Sequence, residues 1–105
     1  MKTIELTEHA LNYAVILALT PRAFEDKPSI RDIVVRYPYC TNWSMSGPII
    51  EREKIGTMYQ YTKWRAWGGD DGEVSCVGPT SLIAAMRCYV ASKLGYEIDI
   101  PEELK

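Results

Sequence analysis

The chain has 105 residues, with 12 Lys and Arg against 14 Asp and Glu for a net charge of −2; 47% of it is hydrophobic and 25% charged. That length suits a single domain, and that composition excludes wholesale disorder. The near balance of charge argues against a polyanion binder driven by bulk electrostatics.

The longest apolar run, Ala14 to Leu19, falls far short of the roughly 20 residues that span a bilayer. Met1-Lys2-Thr3-Ile4-Glu5 lacks the apolar stretch and small-residue cleavage site of a signal peptide, so a cytosolic protein without a membrane partner is expected. Cys40, Cys76 and Cys88 are odd in number and widely spaced, which implies no disulfide framework.

In chain order, the first helix begins at Thr7, a good N-cap, with Glu8 suited to the first turn. Leu11, Val15 and Leu19 repeat at helical spacing, and Pro21 ends the run. Pro21, Pro28, Pro38 and Gly47 punctuate the next stretch. Within it, Ile30 to Val35 reads equally as a helical turn or a strand. Tyr37 to Trp43 reads as an ordered loop that its own side chains must pin to the body.

Pro48 to Ile55, Tyr59 to Trp67 and Glu73 to Val77 are strand candidates, the last two joined by a turn at Gly68-Gly69-Asp70-Asp71-Gly72. Short connections favour an antiparallel meander. Gly78-Pro79-Thr80 then opens a second helix, with the proline in its first turn. Its stripe of Leu82, Ile83, Met86, Val90 and Leu94 should pack on the sheet beside Trp64, and Gly95 stops it. The tail from Tyr96 reads as a strand segment that frays. The fold expected over residues 1–105 is one α+β domain, with a small antiparallel sheet of about three strands and two α-helices packed on one face.

Two blocks carry a resemblance: Trp43-Ser44-Met45-Ser46-Gly47-Pro48-Ile49-Ile50-Glu51-Arg52-Glu53, and the whole run from Gly78 to Gly95. With Leu6-Thr7, Tyr13-Ala14-Val15 and Trp64-Arg65-Ala66, they make the chain resemble the small NinX-like phage and prophage family of unknown function. The resemblance implies a lambdoid-phage accessory protein made in a bacterial cytoplasm. It implies no catalytic residue, substrate or cofactor.

The chemistry-bearing residues are few. His9, the single histidine, has no evident nucleophile or carboxylate partner and reads as a solvated helix-surface residue. The three cysteines and His9 lack the close pairs of a zinc site, so the thiols are expected to be reduced, metal-free, small buried hydrophobes. Asp70-Asp71-Gly72-Glu73 resembles a fragment of a calcium loop but lacks its spacing, and an acidic turn is the simpler reading. Gly78, Thr80 and Ser81 offer N–H groups and hydroxyls at a helix N-terminus, an anion site in form, with ordinary capping as the competing account. Glu51 and Arg87 either form a charge pair or lie apart as two separate solvated ends, the latter being the simpler account.

Aromatic placement is the most informative feature: seven of the eleven aromatic residues lie between Tyr37 and Trp67. On one continuous strand, alternation sets Tyr59, Tyr61, Lys63, Arg65 and Trp67 on one face and Trp64 with Ala66 on the core side. Aromatic planes mixed with cations occur at protein interfaces and on single-strand nucleic-acid platforms. These five residues are therefore the expected binding surface, extended by the Tyr37–Trp43 loop unless that loop covers them. The leading expectation is a non-enzymatic module for a macromolecule, a host or phage protein before a nucleic acid. Single-stranded nucleic-acid binding and a small enzyme with an unrecognised site are the alternatives, and the oligomeric state is open.

Overall fold

A computed structural model describes residues 1–25, 29–69 and 72–105. The expected turn at Asp70-Asp71, with its calcium-loop alternative, and the punctuation at Pro28 lie outside the described residues. The chain is α+β as expected, with a three-stranded antiparallel sheet. The helices number four among the described residues rather than two.

Helix α1 spans Glu8–Leu19. Thr7 caps it through its backbone alone: its carbonyl accepts from the N–H groups of Ala10 (3.1 Å) and Leu11 (3.3 Å), and its side chain makes no cap bond. The ambiguous segment at 30–35 is helix α2, Ile30–Arg36. The Ser29 hydroxyl accepts from the Asp32 N–H at 3.2 Å and starts it.

The expected strand at 48–55 is instead the end of helix α3, Trp43–Glu53. Asn42 caps α3 by accepting from the Met45 N–H at 3.2 Å. Pro48 lies inside it and removes one interior N–H. The helix stops where Lys54 enters the left-handed region at φ 56°. Lys54 N–H donates to Glu51 O (3.3 Å) and Ile55 N–H to Ile50 O (3.0 Å), the two bonds of a Schellman ending. Ile49 and Ile55 are both buried. Three isoleucines that read as a β-run thus serve a helix face and its terminal hydrophobic contact.

The expected strand at 59–67 is a hairpin. Strand β1 spans Gly56–Gln60 and β2 spans Lys63–Gly68, and Tyr61 and Thr62 form a two-residue turn with φ of 50° and 68°. Positive φ at both central positions is the pattern whose twist suits a hairpin. Strand β3, Val74–Gly78, completes the order β1-β2-β3. The register pairs Tyr59 with Trp64 and Met58 with Arg65, and Ala66 with both Thr57 and Cys76.

Helix α4, Ser81–Leu94, is the hub. Thr80 rather than Pro79 is its N-cap, its hydroxyl accepting from the Ile83 N–H at 3.0 Å, so Pro79 precedes the helix. Instead of one buried stripe, Leu82 and every residue from Ala84 to Ala91 are buried, while Ile83 and Leu94 are half-buried. The sheet lies against one side and α1 and α3 against others. Alanines at 84, 85 and 91 permit this close approach from several directions.

The tail is docked, not frayed. Met1 and Ile98 exchange main-chain hydrogen bonds of 2.9 Å each way, and Thr3 N–H donates to Tyr96 O at 2.9 Å. The buried Thr3 hydroxyl donates to Gly95 O at 2.7 Å, and Ile98, Ile100 and Leu104 are buried.

Gly78 marks the closest strand–helix approach. A Cβ there would stand 2.8 Å from the Ala84 main-chain nitrogen and 3.1 Å from its Cα. Gly78→Ala must push α4 off β3, and overpacking of this kind costs roughly 1–3 kcal/mol. Urea denaturation should show a lower midpoint with an unchanged slope.

Candidate functional site

Among the described residues the helices lie on one side of the sheet: α4 packs on the strands, α1 and α3 pack on α4, and α2 packs on α1. Alternation therefore gives the sheet one buried and one open face. Ala66, Gly68, Cys76 and Gly78 point inward and are buried. Lys63, Arg65 and Trp67 of β2 point outward, between Met58 of β1 and Ser75 and Val77 of β3. Lys63, Arg65 and Met58 are exposed, and Trp67 is half-buried. The Arg65 guanidinium donates through Nη1 to Ser75 Oγ at 2.9 Å, which ties it across to β3.

The five residues expected on one face are thus divided. Lys63, Arg65 and Trp67 share the open face. Tyr59 lies on the opposite face, its ring 5.4 Å from that of Trp64. Tyr61 stands at the hairpin tip, 91% exposed. The single-strand alternation fails because a two-residue turn resets the phase. The turn escaped notice because Tyr-Thr replaces the Asn-Gly or Asp-Gly that normally marks it. The same turn places Met58 beside Arg65, and the separate β2–β3 register places Val77 beside Arg65 and Ser75 beside Trp67; neither register is legible in the sequence.

The Tyr37–Trp43 loop does not cover the hairpin. It is anchored on the helical side, where Asn12 Oδ1 accepts from the Cys40 N–H at 2.9 Å and the Ser46 hydroxyl donates to Tyr39 O. Trp43 belongs to α3. At the other expected position, Thr80 uses its hydroxyl to cap α4, Gly78 is buried against Ala84, and Ser81 is half-buried at the start of the helix.

Arg87 and Glu51 lie apart. Glu51 is exposed, whereas Arg87 is buried and donates from Nε to Leu6 O (3.0 Å) and from Nη1 to Val77 O (2.8 Å). Burial lowers the guanidinium pKa from its ordinary value. His9 is half-buried rather than solvated, and its Nδ1 is enclosed with no partner among the described residues. Cys40, Cys76 and Cys88 are free and buried. Burial raises all three thiol pKa values; the Arg87 charge opposes the shift at Cys40 and Cys76, and Cys88 is pushed up to about 12.

The family model described as Bacteriophage P22, NinX matches residues 2–93. The chain belongs to the NinX phage family. No curated protein matches it. The match takes in α1 to α3, the whole sheet and α4 as far as Lys93, so the open face and the buried arginine of this NinX-family chain both lie within it.

Two expectations follow. Thr62 holds φ at 68° despite its β-branch, a strain of order 1 kcal/mol. Thr62→Gly should therefore raise the unfolding free energy by at most about that amount, since glycine's larger entropy loss on folding offsets part of the relief, and the urea midpoint should move up with the slope unchanged. The thiols supply a pH dependence. Unfolded Cys88 ionises near its ordinary value of 9.0, while the folded thiol stays neutral until about 12. Stability from this group is thus fully present below pH 9 and lost as pH rises from 9 towards 12. The urea midpoint should fall across that window, less steeply in Cys88→Ala. At neutral pH a thiol-specific reagent should label the three cysteines only when the protein unfolds.

Proposed function

We propose that this NinX-family chain is a phage accessory module that binds a macromolecule in the cytoplasm of the bacterial host, a protein partner before a nucleic acid, and performs no chemistry itself. The observation that carries this reading is the uncovered sheet face. There Trp67, Arg65, Met58 and Val77 form a mixed apolar and cationic surface on a rigid support, continued by the exposed Tyr61 at the hairpin tip. Aromatic and arginine side chains are the groups that anchor protein interfaces. Arg65 is already held by Ser75, so less side-chain entropy is lost when a partner meets it.

Single-stranded nucleic acid is the second reading, favoured by the cations Lys63 and Arg65 beside Trp67 and Tyr61. Two cations on a chain of net charge −2 make a small electrostatic footprint, which is why the protein reading leads.

The test is affinity capture from phage-infected cells with the wild-type chain and with Tyr61→Ala/Arg65→Ala, whose fold is checked by circular dichroism. The expected result is a defined protein recovered by the wild type and depleted at least tenfold by the double variant. Equal recovery by a folded variant would move the site off this face. Retention dominated by nucleic acid, with a steep loss of binding as salt rises, would favour the second reading.

A further inference from the structure

The two outer strands of the sheet are treated differently. At β3 the free edge is partly covered. Counting outward from the two-residue turn, Gln60 and Lys63 form a hydrogen-bonded closing pair, and alternation turns the main-chain groups of Val77 away from β2. Arg87 takes up the Val77 carbonyl there at 2.8 Å, and the N-terminal segment Thr3–Glu5 lies alongside. At β1 the same alternation turns the N–H and C=O groups of Thr57 and Tyr59 outward. Among the described residues no main-chain group outside β2 bonds to them. All five residues of β1 are exposed.

Proteins usually protect such an edge with a charge, a proline, a bulge or a covering segment. The strand Gly56-Thr57-Met58-Tyr59-Gln60 has no charge and no proline, and its pairing with β2 runs without a bulge. We propose that its partner is β1 of a second copy, the two strands pairing antiparallel about a two-fold axis at Met58 into a continuous six-stranded sheet. In this register Thr57 faces Tyr59 of the other copy, and these are the residues whose main-chain groups point outward. Four hydrogen bonds form symmetrically, and no like charges are opposed along Gly56–Gln60. Met58 meets its own copy as the non-hydrogen-bonded pair, with Cα atoms about 4.5 Å apart. A strand pair this short buries less than the roughly 1,200 Å² of a standard interface, so the dimer is weak and concentration-dependent. The edge carries this inference independently of what binds the open face.

The experiment is sedimentation equilibrium of the full chain from about 1 μM to about 1 mM, paired with cysteine cross-linking. The expected mass rises from the 11.9 kDa of one chain towards twice that value. Met58→Cys should oxidise to a covalent dimer, because that Cα separation suits a disulfide and the native thiols are buried. Met58→Lys, folded by circular dichroism, should stay monomeric at every concentration, since it sets two cations face to face. Monomer mass throughout for the wild type would overturn the proposal. So would a dimer that survives Met58→Lys, or one that Met58→Cys fails to trap, since either places the contact elsewhere.

Discussion

A guanidinium in the middle of a buried helix is the constraint around which this fold is arranged. Removing a cation from water costs several kcal/mol even after relaxation, and the cost is offset only by well-made hydrogen bonds. Arg87 makes two, to Leu6 O and Val77 O. Leu6 follows the N-terminal 3₁₀ turn, Val77 belongs to the outer strand β3, and Arg87 belongs to α4. One side chain thus fixes three segments far apart in sequence. Leu6 and Met86 are fully buried around it, as are Val90 and Cys88. Hydrogen bonds to charged groups contribute about 1.5–3 kcal/mol each, and an unpaired buried carbonyl costs a similar amount.

Around that helix the two sides of the molecule diverge. On the helical side, polar groups are used for attachment. Asn12 ties α1 to the Cys40 main chain and, through Nδ2, to Val34 O at 3.4 Å. Lys93 of α4 reaches Glu53 of α3 at 3.1 Å, and Arg52 and Lys93 together lower the Glu53 carboxyl pKa. On the far side of the sheet Arg65 bonds Ser75, Lys63 and Met58 are exposed, and Trp67 and Val77 are half-buried. A sheet with one packed and one free face is an ordinary antiparallel arrangement. A free face bearing tryptophan, arginine and methionine is the kind of surface that partners use.

Three of the four non-glycine residues with positive φ among the described residues lie around β1, the fourth being Glu8 at the start of α1. Lys54, Tyr61 and Thr62 hold positive φ without being glycine, and they flank the two ends of β1. Each such residue is maintained only because its surroundings over-determine it. For Lys54 the surroundings are the Schellman bonds of α3. For Tyr61 and Thr62 they are the β1–β2 register. The most exposed strand of the molecule is therefore bounded at both ends by left-handed residues that hydrogen bonds and strand pairing hold in place.

The sequence by itself determined the α+β class, the antiparallel sheet, α1 with its Thr7 cap, α4 with its Gly95 stop, the buried character of the cysteines and the family. These depend on local signals: helical periodicity, capping residues, and apolar side chains that must leave water. The tertiary structure decided the rest. Ile49, Ile50 and Ile55 carry a β preference, yet they became a helix and its ending because α4 offered a surface to bury them. Tyr61-Thr62 became a turn without turn residues because the pairing on either side outweighs the strain of two left-handed residues. That turn separated Tyr59 from Arg65 and brought Met58 beside it, while the β2–β3 pairing set Val77 on the other side. Arg87, expected either in a charge pair with Glu51 or, more simply, at a separate solvated end, is instead enclosed because its donors meet carbonyls 81 and 10 positions away in the chain, and contacts at those separations leave no periodicity for a sequence to display.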